Sequence, residues 1–97
     1  MNNDNERLII KKDLKYKDLV GFYVDGKANI GKIMSMTFSG GHSEASYGYY
    51  FECRTPSEEE VEEFIKKYEG HYSCKVIRRR RLTRNDLMKT WGKVDRL

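Results

Sequence analysis

One stretch of this chain repeats its apolar residues with a helical period over two full turns, and that restricts the fold more than any other feature. Val61, Phe64, Ile65 and Tyr68 recur at i, i+3, i+4 and i+7 and make one apolar stripe. Thr55, Pro56 and Glu58 offer an N-cap, a proline at the first helical position and the acid of a capping box. Glu62–Lys66 and Glu63–Lys67 are i,i+4 pairs in the favourable order, and Gly70 marks the expected stop. A single helix with one apolar face cannot close a core on itself. It needs a sheet to cover.

The remaining apolar residues fall into short runs that suit strands. Residues 7–12 read as a first strand and residues 19–24 as a second, with Val20, Phe22 and Val24 on one face. Asp25-Gly26 between two such runs predicts a tight hairpin into residues 27–36, with a bulge near Gly31. Residues 39–43 read as a glycine-rich loop. Residues 47–54 then read as a strand whose Tyr47, Tyr49, Phe51 and Cys53 face the core while Tyr50 points outward as a base-stacking candidate. Residues 72–77 form the expected last strand. Thr83 and Asp86 then cap a short amphipathic helix carrying Leu87, Met88 and Trp91, stopped by Gly92. The order predicts an α+β fold: one domain over residues 7–97 behind a disordered 1–6, an antiparallel meander of about five strands packed on one amphipathic helix, and a short C-terminal helix. Ninety-seven residues support a single modest core.

Charge is distributed unevenly along this frame. Residues 55–70 hold six Glu against two Lys, whereas residues 71–97 hold nine Lys/Arg against two Asp/Glu. The overall net charge of +4 hides that contrast. Arg78, Arg79, Arg80 and Arg81 are consecutive, Arg84 follows, and Lys75 and Lys89 flank them. Strand alternation places Arg78 and Arg80 on one face and Arg79 and Arg81 on the other. An unpaired buried guanidinium is very costly, so each must reach solvent or an acid. Two readings compete: a phosphate-binding strip, and a solvated edge strand paired with the glutamates of the preceding helix. Excess basic charge favours the first.

Other chemistries find little support. Cys53 and Cys74 are the only cysteines and read as core-facing thiols on neighbouring strands of a reduced, cytoplasmic protein. His71-x-x-Cys74 is half of a zinc site, but His42 and Cys53 do not complete it at metal-ligand spacing. No nucleophile–base order or phosphate-loop motif occurs, and no apolar run is long enough to span a membrane. The expectation is a non-enzymatic binding module without metal, cofactor or small-molecule substrate. Its candidate binding residues are Lys75, Arg78, Arg79, Arg80, Arg81, Arg84, Lys89, Tyr50 and Trp91, directed at DNA or RNA mostly through the phosphate backbone. The alternative is a protein-interaction module that docks on an acidic groove, such as a small anti-CRISPR-like or other anti-defence inhibitor of the kind phages and mobile elements encode.

Overall fold

The structure, a computed structural model, describes residues 5–26 and 28–91, with side chains as far as Leu87. Five strands, β1 (Asn5–Lys12), β2 (Leu19–Tyr23), β3 (Lys32–Thr37), β4 (Gly41–Ser46) and β5 (Lys75–Arg79), form one sheet in the order β4-β3-β2-β1-β5. Three helices accompany them: α1 (Tyr47–Glu52), α2 (Glu58–Tyr72) and α3 (Arg84–Trp91). β1 through β4 are an antiparallel meander, while β5 lies parallel to β1. The α+β architecture follows the pattern of the sequence. Among the described residues no helix is long and apolar enough to cross a membrane.

The sheet is covered on both faces. Leu8-Ile9-Ile10 is fully buried because β1 is an interior strand whose successive side chains enter opposite layers. Leu8 and Ile10 join Met36 beneath Val61, Phe64 and Tyr68 of α2. Ile9 joins Val20, Phe22 and Ile33 on the other face, beneath Tyr50 and Cys53. Gly21 makes the first layer possible, since a Cβ there would stand 2.9 Å from Phe64 Cζ. The thiols therefore sit on opposite faces of the sheet, Cys53 with the α1 layer and Cys74 with the α2 layer, and not on neighbouring strands as expected.

Several boundaries depart from expectation for local physical reasons. The box of α2 uses Ser57 and Glu60, two residues beyond Thr55 and Glu58. Glu60 N–H donates to Ser57 Oγ at 3.1 Å and Ser57 N–H to Glu60 Oε1 at 2.9 Å. Gly70 does not end the helix, which runs to Tyr72 before Ser73 takes the left-handed conformation at φ 54°. Asp25-Gly26 is not a two-residue hairpin. The register Gly21↔Met36 and Phe22↔Ser35 centres the turn about three residues later, Gly31 supplies positive φ at 82°, and Asp25 is drawn to Arg7 of β1. Parallel pairing of Asn5 with Lys75 and Glu6 with Val76 starts β1 two residues early, inside the stretch expected to be disordered.

The largest correction concerns residues 41–53. The polar stretch expected to be loop is strand β4, held by a complete antiparallel ladder to β3 from Thr37↔Gly41 to Lys32↔Ser46. The aromatic stretch expected to be a strand is helix α1, with the Ser46 hydroxyl accepting from Tyr49 N–H at 3.0 Å. Helical spacing reverses the faces. Tyr50 is 2% exposed and Phe51 is 64% exposed. The Tyr50 ring meets Phe22 edge-on with centroids 5.0 Å apart, so it is a core residue and no stacking platform.

Candidate nucleic-acid interface

β5 is an edge strand, and the basic run begins within it and continues past its end. Val76 packs with the α2 layer, so alternation directs Arg78 toward α2 and Arg79 toward the opposite face. Arg78 Nη1 donates to Glu58 Oε1 at 2.7 Å, and Arg80 Nη1 reaches the other oxygen of the same carboxylate at 3.4 Å. Glu58 opens α2, and its carboxyl is held below the ordinary range chiefly by the Arg78 hydrogen bond. The pairing of the run with a helix glutamate, weighed in the sequence, is thus present for Arg78 and Arg80.

Arg79 is anchored differently. Its Nη2 donates to Asp86 Oδ2 at 2.8 Å, and Asp86 also accepts from the Thr83 amide at 2.8 Å and the Thr83 hydroxyl at 2.9 Å. Asp86 N–H donates to Thr83 Oγ1 at 3.2 Å, completing the capping box that the sequence indicated. Burial pushes the Asp86 carboxyl up, but the Thr83 hydrogen bonds and the Arg79 charge outweigh it and hold the group below its ordinary range. Between these anchors the Leu82 amide donates to the buried Tyr50 hydroxyl at 3.1 Å. Residues 80–83 are therefore a turn pinned to α2, α3 and the core.

From that turn Arg80, Arg81 and Arg84 are exposed, as is Lys75 at the start of β5. Among the described residues neither Arg81 nor Arg84 forms an ion pair, so the five arginines share two carboxylates, Glu58 and Asp86. Glu69 contributes another acid to this edge, but its Oε2 accepts from the Val76 amide at 2.8 Å and so masks an edge donor. The structure thus gathers Lys75, Arg78, Arg79, Arg80, Arg81 and Arg84 along one edge and its adjoining turn, and removes Tyr50 to the interior. The side chains of Lys89 and Trp91 lie outside the described residues.

A second polar constellation had no local signal in the sequence. Tyr23 Oη lies 2.9 Å from His42 Nε2 and 2.7 Å from Tyr68 Oη, linking β2, β4 and α2, and the Tyr72 ring packs 4.5 Å from that of Tyr68. Burial and the Tyr23 bond push the Tyr68 hydroxyl above its ordinary range. An open cleft of about 480 Å³ lies between α2 and the turns beside it, but Lys17 and Lys67 there are balanced by Asp18 and Glu63. It offers an anion no advantage. Among the described residues no cluster of His, Cys, Asp and Glu is arranged to hold a metal ion. No protein-family model, curated protein or solved structure matches the chain.

Proposed function

We propose that the chain is a non-enzymatic, cytoplasmic module that engages the phosphate backbone of nucleic acid through Arg80, Arg81 and Arg84, with Lys75 at the flank. One observation carries this reading: five guanidiniums share two carboxylates, and three of them project from a turn whose ends are tied down. A backbone tied at Leu82 and Thr83 loses less conformational entropy on binding, and guanidiniums match phosphate oxygens geometrically. Backbone contacts give affinity with little sequence preference. The test is a fluorescence-polarisation titration of labelled single- and double-stranded DNA and RNA across salt concentrations. Four duplex contacts predict a slope of log K against log salt of about −3.6, which Arg80→Ala/Arg81→Ala/Arg84→Ala should flatten to about −1. Absence of binding at low salt refutes the reading.

An acidic groove on a protein is the second reading, as for a small inhibitor encoded by a phage or mobile element. Ile77 favours it, being 45% exposed on the edge strand between Lys75 and Arg79. A phosphate backbone has no use for that apolar side chain, whereas a protein interface does. Ile77→Ser should leave nucleic-acid affinity within about twofold and weaken a protein partner more.

A further inference from the structure

The two guanidiniums of Arg78 and Arg80 converge on one small anion supplied by the molecule itself. Each contributes one Nη to one oxygen of Glu58, at 2.7 and 3.4 Å. Arg78 is held in place by burial, with its side chain 18% exposed, and its Nε is buried with no hydrogen-bond partner. Glu58 is 65% exposed. The cap of α2 does not need it, because Ser57 and Glu60 satisfy each other. The fork therefore belongs to the arginines, and its present occupant is an exposed carboxylate held by one ion pair to part-buried Arg78 and by a longer, exposed pair to Arg80.

We propose that Glu58 is an internal stand-in for a ligand phosphate, and that the Arg78–Arg80 fork is a phosphate seat from which the carboxylate is displaced on binding. The assignment of a nucleic-acid phosphate to this seat rests on the reading above. A phosphodiester carries the same single charge as the carboxylate and presents two oxygens that can bridge two guanidiniums by charge-assisted hydrogen bonds. Displacement moves Arg80 little, since it already stands at the rim of the turn with Arg81 and Arg84. Glu58 thereby weakens binding at the seat and limits it to anions able to compete with a tethered carboxylate.

The experiment compares Glu58→Gln with Glu59→Gln, a neutralisation in the same helical turn at a residue that does not bridge the fork. Labelled duplex DNA is titrated against both proteins and the wild type. E58Q should bind roughly three- to fivefold tighter than E59Q, the range that losing ion pairs to an exposed carboxylate allows. A conservative variant, Glu58→Asp, keeps the charge but withdraws it by one methylene, and should fall between wild type and E58Q. Inorganic pyrophosphate is the second probe, followed by the arginine Nε–Hε resonances. In E58Q it should shift those of Arg78 and Arg80, at lower concentration than in the wild type. Where duplex DNA binds the wild type, E58Q binding it no tighter than E59Q overturns the seat, and so do pyrophosphate shifts that bypass Arg78 and Arg80. If pyrophosphate shifts both arginines while no oligonucleotide binds either protein, the seat stands and the nucleic-acid reading fails.

Discussion

Replacing Tyr50 and its neighbour Phe51 by alanine separates two incompatible pictures of residues 47–52. In a helix Tyr50 is the residue that closes the second layer of the core, packed edge-on against Phe22 and 2% exposed, while Phe51 is 64% exposed. A buried aromatic side chain removes about 150–250 Å² from water, which at about 25 cal/mol per Å² is an upper estimate of roughly 4–6 kcal/mol. Measured losses for comparable truncations are about 3–5 kcal/mol, and that is the expectation for Tyr50→Ala. Phe51→Ala should change stability by about 0.5 kcal/mol or less. For a domain of this size the melting temperature falls by about 4–8 °C per kcal/mol, so Tyr50→Ala should lose at least about 12 °C. Tyr50→Phe isolates the hydroxyl, which accepts from the Leu82 amide at 3.1 Å. Leu82 is half-buried and water can partly replace that bond, so the cost should lie near the low end of about 1–3 kcal/mol. Urea unfolding followed by far-UV circular dichroism gives all three values, and hydrogen exchange at Leu82 reports the loosened turn in Tyr50→Phe. A larger loss for Phe51→Ala than for Tyr50→Ala would show that the segment is a strand with the opposite face inward.

Two further perturbations probe other layers of the structure. Asp13 accepts from the amides of Lys15 and Tyr16 at 2.7 Å each and from the Tyr49 hydroxyl, and the last of these chiefly holds its carboxyl below the ordinary range, as the Thr83 and Arg79 contacts do for Asp86. Because the folded pKa lies below the unfolded value near about 3.9, the unfolded chain takes up the proton first, so stability is full above about pH 5 and declines as pH falls through 4; urea midpoints against pH should show this, flattened in Asp13→Asn and Asp86→Asn, and no decline in the parent protein would refute it. Gly21→Ala places a methyl 2.9 Å from Phe64 Cζ and should cost about 1–3 kcal/mol in urea, partly recovered by adding Phe64→Leu; a neutral Gly21→Ala would mean that α2 packs less closely on β2 than described.

The edge-strand reading of the arginine run describes part of it. Arg78 and Arg80 pair with a helix glutamate, as a blunted edge strand would, while Arg81 and Arg84 remain in excess of the acids around them. Alternation along β5 explains the division. Arg78 on the α2 face and Arg80 just past the strand end meet Glu58 of the acidic helix, Arg79 on the opposite face meets the cap of α3, and Arg81 and Arg84 lie exposed beyond the strand.

By itself the sequence determined the features whose cause is local. The Val61–Phe64–Tyr68 stripe, the shared face of Val20 and Phe22, the Thr83–Asp86 box and the unequal charge of the two C-terminal segments each arise from residues a few positions apart, and each is present in the structure. Tertiary structure decided what depends on partners distant in the chain. A six-residue aromatic segment satisfies strand alternation and helical spacing about equally, and in the fold the β3 ladder is taken by residues 41–46, leaving residues 47–52 to form a helix. That choice turned Tyr50 inward. The parallel partnership of β1 with β5, across more than sixty intervening residues, extended β1 to Asn5 and set the basic edge opposite the first turn of α2. Only then could Glu58 meet Arg78 and Arg80, because an ion pair between residues twenty and more positions apart is a property of how the elements pack and leaves no periodic trace in the chain.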